Sequence, residues 1–205
     1  MNYSKSFPVL ISKIDRLSKD MGGVFSQADL ANLVGLRSKL ATARMLSRLV
    51  QSGVLLRAQR GFYTTQKFNL WQLAARIAPK SYLSMDSVLA RNGLIGSVPE
   101  FSLSAVTVGR GRTIKTDQWR IRFCSIAENL FFGFQTNATG IRVADSEKAF
   151  LDLLYFYVKG VRFVIDPVQE VTVQKLNRRK IVQYLQKYKN PKFIKFVKGV
   201  LDEKS

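Results

Sequence analysis

Glycines at four places divide the first sixty-odd residues into short segments, and this spacing constrains the fold more than any other feature. Gly22-Gly23 follows a stripe of apolar residues at helical spacing, Gly35 ends a second short segment, and Gly53 ends a third. Glycine accepts the left-handed backbone at which many helices end, so each position marks a predicted helix end. Gly61 lies instead between two runs typical of strands, where it marks a hairpin turn.

The residues that start each segment support the same division. Ser6 can cap a first helix with Pro8 in its first turn, and Ser26 with Asp29 forms a capping-box-like start. The third segment is a helix from about Arg37 to Gln51, and the hairpin strands are Val54–Arg57 and Phe62–Thr64. Three helices followed by a hairpin are the order of a winged helix-turn-helix, which we assign to residues 1–67.

The pattern changes after Lys67, and residues 68–205 alternate between helices and strands. Predicted helices start at Asn69, Ser84, Asp145, Asn177 and Asn190, and predicted strands cover 82–83, 101–108, 119–123, 130–134 and 141–143. In Trp119–Phe123 apolar residues alternate with arginines, so one face is expected to be buried. The fold class is therefore α+β: an N-terminal winged helix-turn-helix followed by a mixed α+β C-terminal domain with a basic helical tail.

Charge and composition limit the function classes. The chain has a formal net charge of +19, which favours a polyanionic partner such as nucleic acid. It contains no histidine, which excludes histidine bases, Ser-His and Cys-His pairs and histidine metal sites. A single cysteine and the lack of a long apolar run predict a cytoplasmic protein without a disulfide or membrane span. We expect no enzyme activity, metal or cofactor.

The third predicted helix carries the strongest functional signal. Residues spaced to form one stripe are Arg37, Ala41, Arg44 and Arg48, and those expected to face the core are Ala43, Leu46, Leu49 and Val50. Arginine can bond guanine or phosphate, and a small alanine permits close approach or meets a thymine methyl group. This stripe therefore predicts a recognition helix for the major groove of double-stranded DNA.

Neighbouring residues extend the predicted DNA-binding surface. Ser38, Lys39 and Thr42 lie near the start of the helix, where exposed N–H groups favour a phosphate. Arg57 and Arg60 lie in the hairpin, from which they can reach the minor groove or the backbone. A solvated basic face is the ordinary alternative, but such a face normally mixes signs, and residues 30–60 contain no Asp or Glu.

A secondary basic patch is a weaker candidate. Gly109–Arg112 fails the dinucleotide-binding pattern, and a basic turn between strands is the favoured interpretation. The arginines of this patch are Arg110, Arg112, Arg120 and Arg122. No convincing carboxylate pair stands out, so a nuclease that uses scattered carboxylates and lysines is disfavoured. The lysines of residues 175–204 fit the solvent-exposed face of amphipathic helices, or a surface that binds RNA or an acidic protein.

The chain also resembles the AbiE-type antitoxin family, the transcriptional regulators of type IV toxin–antitoxin modules in viral defence. The resemblance spans roughly residues 10–160. The segments that carry it are Leu46–Leu49 with Gly53, Leu56–Tyr63, Pro79–Ser84, Val88-Leu89, Asn92–Leu94 and Ile141–Asp152. The order and spacing of these segments are more specific than any one of them, and residues 161–205 have no counterpart.

This resemblance implies a repressor that binds inverted repeats at its own operon and counters a nucleotidyltransferase toxin. The leading hypothesis is thus a sequence-specific DNA-binding repressor that is also an antitoxin. The alternative is a protein-interaction module in which the basic surfaces bind an acidic toxin and DNA affinity is incidental. No pattern in the sequence predicts the operator sequence or the oligomeric state.

Overall fold

A computed structural model of the chain describes residues 3–36 and 38–204. The polypeptide forms two compact units, one ending at Leu73 and the other starting at Ala74. The sequence division at residues 67 and 68 differs from this one because helix α4, Leu70–Ile77, spans the structural boundary.

Among the residues that the structure describes, the first unit contains three complete helices and a small sheet. Its elements are α1 Tyr3–Asp20, β1 Val24–Ser26, α2 Gln27–Val34, α3 Lys39–Gln51, β2 Leu56–Gln59 and β3 Phe62–Thr64. The antiparallel sheet has the order β1-β3-β2. The α+β class with an N-terminal winged helix-turn-helix is confirmed, and β1 is a strand that the sequence patterns do not predict.

The predicted helix ends in this unit are confirmed. Gly22, Gly23, Gly35 and Gly53 all have positive φ. At Gly23 the backbone is also crowded: a Cβ there would lie 2.5 Å from both the carbonyl oxygen of Lys67 and the hydroxyl oxygen of Thr65. Glycine is therefore required at position 23 on two grounds, its φ and this close approach.

Two predicted helix starts are wrong. α1 begins at Tyr3 rather than at Ser6, with Pro8 inside the helix. Pro8 lacks the N–H that would bond to the carbonyl of residue 4, so this hydrogen bond is missing from the first turns of α1. α3 begins at Lys39 rather than at Arg37, because Ser38 has an extended backbone and accepts a hydrogen bond from the Ala41 N–H as the N-cap.

The second unit places helices around a six-stranded mixed sheet. The remaining elements are β4 Ser81–Leu83, α5 Met85–Arg91, β5 Ser102–Val108, β6 Arg112–Lys115, β7 Arg120–Ile126, β8 Phe134–Thr136, β9 Arg142–Ala144, α6 Ser146–Val158, α7 Arg178–Leu185 and α8 Pro191–Glu203. The strand order is β6-β7-β5-β4-β9-β8. The pairs β5–β7 and β4–β9 are parallel, and the other pairs are antiparallel.

Helix α6 forms the centre of this unit. Most of its side chains are buried, including Phe150, Leu153 and Leu154, and it packs against α5 and against α7 and α8. A helix that is apolar around most of its circumference must be covered on several sides, which explains its position. The predicted alternation in β7 is confirmed, since Trp119, Ile121 and Phe123 are buried and Arg120 is exposed.

Two local expectations in the second unit are wrong. Of residues 130–134 only Phe134 belongs to a strand, because Phe131 and Phe132 both pack against aromatic rings and Gly133 has a φ of 74°. Successive side chains in a strand would point to opposite faces. Ser84 is the residue before α5, as predicted, but its side chain makes no capping hydrogen bond; its hydroxyl donates to Asp152.

Candidate nucleic-acid interface

Helix α3 is held by its packing against the other helices of the first unit. Leu46 and Leu49 of α3 join Leu10, Ile14 and Leu30 in one buried apolar cluster. The preceding helix α2 starts at a capping box, in which Ser26 accepts from the Asp29 N–H and Asp29 accepts from the Ser26 N–H. Because both helices are fixed at these points, the outward side chains of α3 have a defined orientation.

The exposed face of α3 is one continuous stripe. Its members are Leu40, Ala43, Arg44, Ser47, Arg48 and Gln51, all of them exposed. At about 100° per residue, the centre of this stripe lies roughly 60° from the centre of the predicted one. The difference arises because Thr42 joins Leu46 and Leu49 on the buried side, so the outward direction turns towards Leu40 and Ser47.

The predicted stripe is therefore confirmed only in part as an exposed surface. Arg44 and Arg48 are exposed, Ala41 is half-buried, and Arg37 lies outside the described residues. Ala43 was predicted to face the core and is exposed instead. Two of the four positions thus lie on the exposed stripe.

Thr42, predicted to be part of the DNA-binding surface near the start of the helix, is buried in the structure. Its exposed fraction is 4%, and its hydroxyl donates to the Ser38 carbonyl at 3.0 Å. This bond to the carbonyl four residues earlier holds the side chain against the helix, away from solvent. Ser38 and Lys39 are exposed, although the Ser38 oxygen already accepts from the Ala41 N–H.

Arg48 is oriented by a contact that the sequence does not reveal. Its guanidinium carbon lies 4.0 Å from the centre of the Phe7 ring on α1. Phe7 and Arg48 line an apolar groove of about 330 Å³, together with Leu10, Val34, Leu36, Ala41, Arg44 and Met45. A guanidinium stacked on an aromatic ring keeps its edge available for hydrogen bonds. Phe7 therefore restricts where the Arg48 charge lies.

The hairpin β2–β3 is a short wing whose turn is fixed to α2. The Gln27 N–H donates to the Gly61 carbonyl at 2.8 Å, and Gly61 has a φ of 83°. Arg60, beside Gly61 in this turn, is exposed. Arg57 lies on β2 and lines a cleft that it shares with Ser47 and Gln51 of α3. The wing and the exposed stripe thus border the same surface.

Two of the four arginines in the predicted secondary basic patch are held by contacts within the second unit, and the other two are not part of these contacts. Arg112 donates to the Ile77 carbonyl and lies over the Phe123 ring, while Arg122 donates to the Arg162 carbonyl and lies over the Phe163 ring. Arg110 and Arg120 are exposed. The segment Gly109–Gly111 connects β5 to β6, but these strands are not neighbours, since β7 lies between them.

Within residues 3–36 and 38–204, no group of three or more His, Cys, Asp or Glu side chains is arranged to hold a metal ion. In the same part of the chain, no helix has both the length and the hydropathy to cross a membrane. Burial raises the pKa of the Cys124 thiol to about 11, which keeps it protonated at neutral pH.

A buried polar cluster occupies the centre of the second unit. The Lys148 ammonium and the Asp152 carboxylate form an ion pair at 2.6 Å, and both side chains are fully buried. The other Asp152 oxygen accepts from the hydroxyls of Tyr82 and Ser84, each at 2.8 Å, and the Lys148 ammonium lies 3.2 Å from the Tyr188 hydroxyl. Nothing in this cluster is accessible to a substrate, so its arrangement is structural rather than catalytic.

A second polar cluster joins the start of α6 to α7. The Asp145 carboxylate caps α6 and accepts from the Tyr184 hydroxyl, and Lys180 lies 3.2 Å from Asp145 and 3.1 Å from Glu147. Burial alone would raise the pKa of Glu147, but the Asn177 N–H and the Lys180 ammonium lower it below its usual value. Glu147 therefore favours the folded state while it is ionised.

We expect Glu147→Gln to destabilise the second unit at neutral pH and to have a smaller effect in acid. The folded pKa lies below the unfolded value, so the contribution is present above the ordinary pKa of 4.5 and is lost as the pH falls through the folded pKa. Urea denaturation at neutral and at acid pH measures this. Glu128→Gln, at an exposed residue, serves as the control. An equal loss at both pH values would contradict the assignment.

Sequence reasoning missed Leu40, Ser47 and Gln51 as members of the exposed stripe, and Phe7 as the contact of Arg48. A helical wheel would have found the first three if Thr42 had been counted as a core residue. The Phe7 contact has no sequence signal, because it joins two helices that are remote along the chain.

Comparison with known proteins connects this surface to regulation. Residues 12–66 match the family model described as a transcriptional regulator, the AbiEi antitoxin, which confirms the family resemblance over this segment and supports a general DNA-binding, regulatory role for it. The match includes α2, α3 and the wing. No curated protein matches the chain in sequence.

The fold as a whole is also similar to a solved structure. The crystal structure of the RV2827C protein from Mycobacterium tuberculosis superposes with a TM-score of 0.64 at 13% identity. The superposition covers 97% of this chain and 78% of that one. At this identity the similarity concerns the fold alone.

Proposed function

We propose that the protein is a sequence-specific DNA-binding repressor that uses α3 and the wing to bind its operator. The observation that carries this proposal is the exposed stripe of α3, on which Arg44 and Arg48 lie with no acidic residue between positions 30 and 60. A basic outward face on the second helix of a helix-turn-helix suits the major groove. The family match over residues 12–66 supports the same role.

Each basic residue has a role in this proposal. Arg44 and Arg48 bond base edges or nearby phosphates from within the major groove. Arg57 and Arg60 contact the backbone or the minor groove from the wing. Lys39 and the N–H groups near Ser38 bind a phosphate at the start of α3. Arg37, which lies outside the described residues, is assigned to the major groove together with Arg44 and Arg48, as the sequence predicts. Thr42 is left out of this set because it is buried.

We also propose that the protein is the antitoxin of a type IV toxin–antitoxin system. In this role it represses its own operon at inverted repeats and counteracts a nucleotidyltransferase toxin, without catalysis of its own. The description of the matched family, a regulator and antitoxin, supports this step. Operator binding requires access to the chromosome and therefore a cytoplasmic location.

The alternative function is a module that binds an acidic protein partner through its lysines. Exposed lysines that favour it are Lys187, Lys189, Lys192, Lys195 and Lys198 near and on α8. Co-purification with the product of the neighbouring gene separates the two functions. A tight complex without promoter binding would support the alternative.

Binding to the upstream promoter duplex tests the proposed function, and we expect it to weaken steeply with salt. Each phosphate contact contributes about −0.9 to the slope of log K against log salt concentration. Arg60→Ala should reduce the size of that slope by about one. Arg16→Ala, at an exposed residue of α1, should leave the slope unchanged. Affinity that does not respond to salt would contradict the proposal.

A further inference from the structure

Leu40 is an unusual residue for the centre of a polar surface. Its exposed fraction is 61%, the largest among the exposed large apolar side chains that the structure describes in the first unit. It precedes Arg44 by one helical turn and Ser47 by two, so it lies in the middle of the exposed stripe. Single exposed leucines are common on protein surfaces, so the position of Leu40 matters more than its exposure.

We propose that Leu40 contacts the 5-methyl group of a pyrimidine base in the major groove, which makes it a specificity-determining residue. The inference rests on the proposed function and goes further, because it assigns an apolar contact to a surface otherwise described by its charges. The major groove displays one apolar group, the 5-methyl group of thymine, which 5-methylcytosine also carries. Contact with that methyl group removes apolar surface of both partners from water.

The position of Leu40 along α3 supports this contact. Leu40 is the second residue of the helix, and the N-terminal residues of a recognition helix reach the base edges in helix-turn-helix proteins. The small side chain of Ala43, on the same face, leaves room for the helix to approach the bases. One helical turn advances about 5.4 Å, against about 3.4 Å for one base step. The pyrimidine should therefore lie one or two base pairs from the base that Arg44 contacts.

Removal of the methyl group alone tests the proposal. The full-length protein first selects its preferred duplexes from a randomised pool, and each enriched thymine is then replaced by uracil, which lacks only the 5-methyl group. Each enriched cytosine is replaced by 5-methylcytosine, which shows whether a methyl group on cytosine makes the contact. Binding is measured for the wild type, for Leu40→Ala and for Val9→Ala. Val9 is an apolar residue of α1 with an exposed fraction of 54%, so it serves as a matched control.

We expect one or two methyl positions to change the affinity of the wild-type protein and of Val9→Ala about fourfold each, the ratio given by burial of one methyl-sized group. The same positions should have no effect in Leu40→Ala. If neither uracil nor 5-methylcytosine changes the affinity at any position, the inference is overturned, but the proposed DNA binding is not. An equal methyl effect in Leu40→Ala would also overturn it. Failure to enrich any duplex would overturn the proposed function together with this inference.

Discussion

Replacement of both Arg44 and Arg48 by alanine is expected to abolish binding to the promoter duplex. Each arginine that bonds a base edge contributes about 1–3 kcal/mol of discrimination, so loss of both lowers the affinity for the operator by roughly thirtyfold or more. Both side chains are exposed, and the Arg48 guanidinium lies over the Phe7 ring. The fold should therefore survive the change. Gel shift measures the binding, and circular dichroism measures the helix content.

A charge-matched variant separates recognition from general attraction. Arg16→Ala with Lys19→Ala removes the same charge from exposed positions of α1. This control should weaken binding slightly and equally for all duplexes, because it alters only long-range attraction. Retention of sequence-specific binding by the Arg44 and Arg48 double variant would refute the assignment of α3 as the recognition helix.

Lys148→Met is expected to give the largest loss of stability in the chain, about 3–5 kcal/mol. The change leaves the Asp152 carboxylate buried without its cation, although Tyr82 and Ser84 still donate to it. The Lys148 ammonium also lies 4.6 Å from the centre of the Phe132 ring, so a favourable cation–π contact is lost as well. Methionine fills a similar volume, which keeps the cavity contribution small.

The stability experiment needs a reporter in the second unit. In a Trp71→Phe background the remaining tryptophan is Trp119, which is buried just before β7, so its fluorescence follows the unfolding of this unit. Urea denaturation then gives the free energy of unfolding. Lys159→Met makes the same chemical change on an exposed residue just after α6 and should cost less than about 0.5 kcal/mol. A loss below about 1 kcal/mol for Lys148→Met would show that the ion pair is dispensable.

The ends of the helices could be predicted from the sequence because they depend on neighbouring residues. Ser26 with Asp29, Asn177 and Asn190 all cap helices as expected. A cap bonds an N–H two or three residues away, so the sequence contains most of the required information. The starts of the first and third helices are predicted less accurately. The first helix starts before the predicted cap of Pro8's turn, and the third starts after Arg37.

The orientation of α3 could not be predicted to the same accuracy. Thr42 is polar and was expected to face solvent, but its hydroxyl bonds to the Ser38 carbonyl and its methyl group is available for the core. This one residue changes the direction of the exposed stripe and brings Leu40 to its centre. Burial of a threonine depends on tertiary packing, which overrides the preference suggested by its polarity.

The polar cluster of Lys148 and Asp152 was also beyond prediction from sequence. The sequence predicts that a helix starts at Asp145, and Asp145 does cap α6. The partners of Asp152 come from β4 and from Ser84, some seventy residues earlier in the chain. Spacing along one helix gives no information about such distant partners, so the sequence offered no signal for them.

The strand order of the larger sheet has a consequence for synthesis on the ribosome. β6 has a single neighbour in the sheet, β7, and that neighbour is made after it. Residues 112–115 therefore stay unpaired until their partners, residues 120–123, have left the exit tunnel. Arg112 and Lys115 at the two ends of this strand disfavour pairing with a strand of another nascent chain, because exposed positive charges repel each other. These two charges therefore disfavour pairing between nascent chains while the sheet is incomplete.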